Sequence, residues 1–425
     1  MRNIAAAAGD ADRLRMTAAP LAAAPRAAAP LAAVLALVAP APAAAAAAGG
    51  MAGGAAGVAA GGCGLQALAR LLPRLRPFLP PFLLPCLLLV GLLLAAGPAR
   101  ALEIEAEREF GAAGAPLRIT VLSTTDIAVF APVLEGFIAA RPDVAVRYVV
   151  ASSKEIFAAL DQGSAPVDVV ISSAMDLQMK LANDGRAQPL PAAVLGGRPS
   201  WARWRDTLVA VAQEPAVILV SRAALAGGLP VPRTRRDLIA LLRDHPERFR
   251  GRIGTYDPQV SGAGYLFATQ DARLGETFWR LAEVMGRLDT RLYCCSAEMI
   301  DALVAGDLLV GYNVLGSYSR NDAAFRDKVI LVEPEDFTVT LLRTALIPQE
   351  ARNPAAAGAF LTYLLSPTGQ DLVREAAGLP LIDHAAYAEK PHLRPIRLDP
   401  GLLAHLDRRM RAQFLVEWQA AMDQP

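Results

Sequence analysis

The sequence predicts an α/β protein of two lobes, each a mixed or mostly parallel sheet flanked by helices, joined by a two-stranded hinge. Three observations carry that expectation. From Leu117 to Leu365, short apolar runs rich in β-branched residues alternate with stretches of helical periodicity, the order that builds parallel strands with right-handed helical crossovers. Four of those runs end in turns that open a helix: Ser123-Thr124-Thr125-Asp126, Ser152-Ser153, Ser172-Ser173 and, after Asp257-Pro258, Ser261-Gly262-Ala263-Gly264. The chain also changes style at the Gly- and Pro-rich segment 227–232 and resumes its first pattern near Gly316. Crossings near Ser221 and Gly316 would make the hinge.

Two segments precede the folded part. Residues 1–68 are dominated by Ala, Gly and Pro, with no periodic apolar face and few large side chains to bury, so they should not pack. A disordered leader and an over-extended reading frame starting properly at Met51 both fit. In 69–101, Arg70, Arg74 and Arg76 precede the apolar run Phe82 to Ala96, and Ala99-Arg100-Ala101 follows. That is the order of a cleavable secretory signal peptide, and export from the cytoplasm is expected. Together the two segments carry eight Arg against two Asp, so the net charge of +1 over 425 residues turns negative on cleavage. An acidic balance argues against a nucleic-acid partner.

The first lobe is expected over 102–221. Strand Leu117 to Leu122 leads to helix Ile127 to Ala140, strand Val144 to Val150 to helix Lys154 to Gln162, and strand Val167 to Ile171 to helix Met175 to Asn183. Ser, Thr or Asp stands before each helix, where a side-chain oxygen accepts a free N–H of the first turn. Beyond a Pro-containing loop at 188–191 and Trp201 and Trp204, two more strands are read, Thr207 to Gln213 and Ala216 to Ser221.

The second lobe is expected over 222–315. It opens with helix Arg235 to Asp244, then the strand ending at Tyr256 and the helix opened by Ser261. Helix Glu276 to Gly286, strand Thr290 to Tyr293, helix Ala297 to Ala305 and strand Leu308 to Val314 complete it. The return over 316–385 contains strands Lys328 to Val332 and Thr338 to Ile347, helix Pro354 to Leu365, and a helix capped at Ser366-Pro367-Thr368-Gly369-Gln370. In the tail, 386–425, Leu402, Leu403, Leu406, Met410, Phe414, Leu415 and Trp418 recur at helical spacing with arginines between them. This amphipathic helix is expected on the first lobe.

In an open α/β sheet the strand-to-helix turns gather at the carboxyl edge, where ligands bind. Ser123, Thr124, Thr125, Ser152, Ser153, Ser172, Ser173, Tyr256, Ser261, Gly262 and Ala263 are therefore candidate ligand-binding residues. Hydroxyls and bare N–H groups at helix starts suit an anion. Lys154, Arg320 and Arg343 are the candidate balancing cations, and the sequence leaves the choice open. His245, His384, His392 and His405 are scattered, and no Cys/His spacing suggests zinc, so neither a metal nor a cofactor is expected. No Gly-x-Ser-x-Gly elbow and no nucleophile–base pair can be assembled, so catalysis is not expected. Cys294-Cys295 reads as two small side chains at a strand end, its redox state left open.

These stretches resemble the periplasmic solute-binding proteins of bacterial ABC transporters, in the two-lobed class with a double crossover that includes receptors for iron(III), phosphonates and phosphoglycerate. The resemblance spans Leu117 to Leu381. Its carriers are Ser123-Thr124-Thr125-Asp126, Val167-Asp168-Val169-Val170-Ile171-Ser172-Ser173, Thr255-Tyr256-Asp257-Pro258 with Ser261-Gly262-Ala263-Gly264-Tyr265, Gly311-Tyr312-Asn313, and Leu364-Leu365-Ser366-Pro367-Thr368-Gly369-Gln370. It implies a monomer whose lobes close on a small solute and deliver it to a permease in the inner membrane. It adds Tyr312, Asn313 and Tyr318 to the candidate ligand-binding residues. Iron(III) receptors use a pair of nearby tyrosines. Here Tyr312 and Tyr318 are not adjacent and have no evident His or Glu partner, so the expected ligand is a small anion (an organophosphate, phosphonate or carboxylate), with iron(III) in second place. The same chain could instead present its ligand to a sensor kinase or, last in order, act as a periplasmic enzyme.

Overall fold

A computed structural model describes residues 102–424 apart from 164–165, 317–322 and 383. The expected leader 1–68, the expected signal peptide 69–101 and the candidates Tyr318 and Arg320 lie outside the described residues.

The first half follows the local chemistry closely. Strand β1 (Ala106–Phe110) and strand β2 (Leu117–Ser123) precede helix α1 (Ile127–Ala140). Strand β3 (Val144–Val150) leads to helix α2 (Ser153–Asp161), and strand β4 (Val169–Ser172) to helix α3 (Met175–Asn183). β3 reads Val-Ala-Val-Arg-Tyr-Val-Val and is buried at every position except the half-buried Arg147, the signature of a strand covered on both faces. β2 pairs in parallel with both β3 and β4, and β1, which the sequence reading passed over, pairs antiparallel at the outer edge of β3.

The hinge region differs from expectation in two ways. The two strands read around Pro215 are one, β5 (Leu208–Ser221), buried along its whole length. A proline usually ends a central strand because it cannot donate to the ladder. Here Pro215 sits where β5 leaves one sheet for the other, so its missing N–H falls at the end of one ladder. From Val209 to Pro215 β5 pairs antiparallel with β10 (Thr338–Leu346), which also pairs with β4. From Ala216 to Val220 it pairs with β8 (Val310–Leu315). The first crossing is thus inside β5, ahead of Ser221. The return is later than Gly316, because β9 (Val329–Val332) still pairs with residues Ile218 to Ser221 of β5. The chain crosses back between β9 and β10. Periodicity identifies a strand but not which sheet edge it joins, and that is why both positions shift.

The second sheet continues through β6 (Ile253–Tyr256), parallel to β8, and β7 (Arg291–Tyr293), parallel to β6. Helices α4 (Arg235–Asp244), α5 (Gly262–Leu274), α6 (Thr277–Arg287) and α7 (Ser296–Ala305) flank it. Helices α8 (Pro354–Leu364) and α9 (Pro367–Glu375) complete the first lobe, and β11 (Leu393–Pro395) adds in parallel to β10. Short helical turns and a two-residue strand make the remaining links.

The tail corrects a third expectation. Helix α10 (Arg408–Met422) packs on the second lobe, not the first. Phe414 and Trp418 are buried with Tyr265, Ala268 and Phe278. The Phe414 ring meets Tyr265 edge-on at 5.6 Å. The tail carries its own apolar stripe, and the matching aromatics stand on α5 and α6. Gly286 of α6 makes the contact close: a Cβ there would lie 2.4 Å from the Met422 carbonyl oxygen and 2.8 Å from that of Ala421. Backbone oxygens of a helix end cannot step aside as a side-chain tip can. Gly286→Ala is therefore expected to cost about 1–3 kcal/mol of stability and to loosen α10. Urea denaturation and limited proteolysis of the tail check it, and an unchanged midpoint with a protected tail would refute it.

Candidate functional site

The strand-to-helix turns meet in one cleft of about 100 Å³ between the two sheets, lined by residues of both lobes. Each turn is shaped by its own short polar side chains. Ser123 accepts the Thr125 N–H at 3.0 Å, and Ser172 accepts the Ala174 N–H at 3.1 Å. Ser152 caps α2 by accepting the Glu155 N–H at 3.2 Å, and Ser261 caps α5 by accepting the Gly264 N–H at 3.1 Å. The first and third turns are tied together, because Thr124 Oγ1 accepts the Ser173 N–H at 3.1 Å. The lobes are tied as well: the Gly262 N–H donates to Ser153 Oγ at 3.1 Å.

Of the residues chosen from sequence, Thr124, Ser152, Ser153, Ser173, Tyr256, Ser261 and Ala263 line the cleft. Ser123, Thr125 and Ser172 do not. They are buried beneath it as the frame of the turns. Gly262 is engaged with Ser153. Tyr312 and Asn313 are a correction, since the structure places them in a buried polar network rather than in the cleft lining. Tyr312 donates to Asp271 Oδ2 at 2.6 Å and accepts from Arg235 Nε at 2.7 Å, and Asn313 Nδ2 donates to the same carboxylate at 2.8 Å. Burial, ahead of any charge, holds the Tyr312 phenol well above its ordinary pKa, the reverse of what a phenolate ligand needs. Both residues lie in the middle of β8, where Tyr312 reaches Arg235 of α4 and both reach Asp271 of α5.

The sequence reading missed Glu105, Asp126, Cys294, Cys295 and Ser296, all of which line the cleft. Ser296 opens α7 straight after β7 and shares a hydrogen bond with the Tyr256 hydroxyl at 2.5 Å. It is a fifth instance of the same device, and the strand–Cys-Cys-Ser–helix order could have revealed it. Glu105 precedes every recognisable unit and carried no signal.

The formal charges on the cleft wall are acidic. Burial raises the pKa of Asp126, with Arg343 opposing the rise, and burial and then Asp126 raise that of Glu105. Arg343 stands one layer behind. It is wholly buried, its Nε 2.7 Å from Glu214 and its Nη1 3.3 Å from Thr124 Oγ1. Lys154 is absent from the lining.

A double-crossover fold with a hydroxyl-lined interlobe cleft has known counterparts. The sequence model of the bacterial extracellular solute-binding proteins matches residues 119–378. The chain belongs to that family. A substrate-binding protein of an ABC transporter from Agrobacterium tumefaciens shares 31% identity over 76% of this chain and 100% of that one, with a TM-score of 0.72. The periplasmic binding protein AfuA from Actinobacillus pleuropneumoniae, with exogenous fructose-6-phosphate bound, matches at 17% identity and a TM-score of 0.60 over 72% of this chain and 99% of that one. An apo ferric ion-binding protein A from Pasteurella haemolytica matches at 18% and 0.53 over 72% and 95%. The last two speak for the fold alone. None of the curated proteins compared with the chain matches it. The chain is thus a solute-binding protein of the two-lobed fold, of the type that serves ABC transporters. Among the described residues no helix is long and apolar enough to cross a membrane.

Proposed function

We propose that this solute-binding protein works in the periplasm as the receptor of an ABC importer and captures a small organic anion between its lobes for delivery to a membrane permease. One observation carries the reading. Residues at the start of five helices line the cleft: Asp126 before α1, Ser152 and Ser153 at α2, Ser173 before α3, Ser261 at α5 and Cys295 and Ser296 at α7. Helix N-termini offer unpaired N–H donors and the positive end of the helix dipole, and convergent ones suit a phosphate, phosphonate or carboxylate. Asp126 and Glu105 then suit hydroxyl groups on the rest of the solute, so a hydroxylated anion such as a sugar phosphate or hydroxy acid fits the wall. The same lining favours binding without turnover. Burial raises the pKa of both thiols, and a protonated thiol is a poor nucleophile.

Ser261 tests the reading. Its oxygen is occupied as the cap of α5, which leaves its O–H to donate to a solute. Ser261→Gly should change stability by only a few tenths of a kcal/mol, because Gly is tolerated at a helix N-cap. Loss of a hydrogen bond to a charged group costs about 1.5–3 kcal/mol, so affinity should fall roughly tenfold to a hundredfold. A thermal-shift panel of sugar phosphates, phosphonates, hydroxycarboxylates and iron(III) identifies the solute, and calorimetry on the variant follows. A response to iron(III) alone, or unchanged affinity in Ser261→Gly, would overturn the proposal.

A further inference from the structure

Cys294, Cys295 and Glu298 form a cluster that the anion-binding reading does not use. The chain bends at the two cysteines between β7 and α7, and the bend turns both side chains the same way, with their sulfurs 2.8 Å apart. Glu298 stands on the first turn of α7. The two sulfurs and a carboxylate oxygen of Glu298 all lie within 4.8 Å of one another. Zinc takes thiolate ligands at about 2.3 Å and carboxylate oxygens at about 2.0–2.2 Å. Two ligands of one tetrahedral ion are therefore about 3.6–3.8 Å apart, so the sulfurs must separate by about 1 Å from their present 2.8 Å for both to ligate.

Burial does not account for the pair. A structural cysteine is a small apolar group in a core, yet Cys294 is exposed and Cys295 half-buried, and both open onto the cleft. The neighbouring charges are acidic, with Glu105 acting on both thiols alongside Glu298. Carboxylates beside paired thiols disfavour an anionic thiolate but favour a cation that binds sulfur. Protonated thiols do not hold such an ion, so binding must release their protons, as thiolate coordination does in general.

We propose that Cys294, Cys295 and Glu298 bind one thiophilic divalent cation of the zinc class at the wall of the solute cleft. Three protein ligands leave a tetrahedral ion one open position, which here faces solvent in the cleft and accepts water or an anionic oxygen. The site adds a cation to a wall whose own charged side chains are Asp126 and Glu105, and it stands whether or not the solute is an anion.

The test uses the reduced protein, freed of chelator, with Co²⁺ as the spectroscopic probe and Zn²⁺ as competitor. One Co²⁺ per chain should bind with sulfur-to-cobalt charge-transfer absorption, and Zn²⁺ should remove that band. Cys294→Ser/Cys295→Ser should abolish it, and Glu298→Gln should weaken Zn²⁺ binding at least tenfold. The far-ultraviolet circular dichroism of both variants should match wild type, since none of the three side chains is in the core. Excess Zn²⁺ should also slow the reaction of the thiols with a disulfide reagent. Absence of the band in folded protein, its survival in the double serine variant, or closure of the pair to a disulfide that Zn²⁺ does not prevent would each overturn the assignment.

Discussion

Glu214→Gln is expected to destabilise the protein by about 3–5 kcal/mol. Glu214 on β5 and Arg343 on β10 are both wholly buried and form an ion pair between the strands that link the lobes. Removing one partner of a buried pair leaves the other charge without compensation, and that cost is of this size. Arg343 also donates to Thr125 Oγ1, and its Nη1 lies 3.3 Å from Thr124 Oγ1, so the loss should reach the cleft wall and lower solute affinity too. Arg141 and Asp143 supply the contrast. Their 2.7 Å pair is solvent-exposed, and Asp143→Asn should cost no more than about 1 kcal/mol. Urea midpoints at unchanged m-value decide the matter. Equal costs for the two variants would refute the special weight given to Glu214.

Gly262→Ala is expected to hold the lobes apart. Gly262 begins α5 in the second lobe and faces α2 and α3 of the first. A Cβ there would stand 2.4 Å from Ser153 Oγ and 3.1 Å from both Ala174 Cβ and Leu177 Cδ1. The serine hydroxyl can rotate away, but Ala174 and Leu177 close the other side. Overpacking of this kind costs about 1–3 kcal/mol. If solute binds only when the lobes meet, the cost appears as a loss of affinity of roughly 5- to 150-fold. Small-angle scattering at saturating solute should give a larger radius of gyration for Gly262→Ala than for wild type. Adding Ser153→Ala removes the nearest obstruction and should bring the radius of gyration back toward the wild-type value. Wild-type affinity in Gly262→Ala would sink the claim that closure brings this contact about.

The fold was legible where its causes are local. α1, α3 and α4 have the boundaries read from the sequence, because their apolar period lies within one short stretch of chain, and at α4 Thr234 adds a polar cap. The turns at Thr124, Ser152, Ser153, Ser173 and Ser261 were legible for the same reason, and they line the cleft. Ser123, Thr125 and Ser172 show the limit of that signal. A hydroxyl that frames a turn and one that faces a solute are the same residue type at the same spacing, and burial alone separates them.

The sequence by itself determined the alternating strands and helices, the capped turns and hence the α/β class, since each depends on neighbours a few residues apart. Only the tertiary structure decided the rest. It joined two apparent strands across Pro215, kept Val329–Val332 in the second sheet, and carried α10 to the far lobe. It turned Tyr312 into a core network with Arg235 and Asp271, and it brought Glu105 and Cys294 to one wall although more than half the described chain separates them. Strand pairing, burial and charge compensation depend on residues far apart in sequence, and a local pattern of side chains holds no record of which distant surface will cover it.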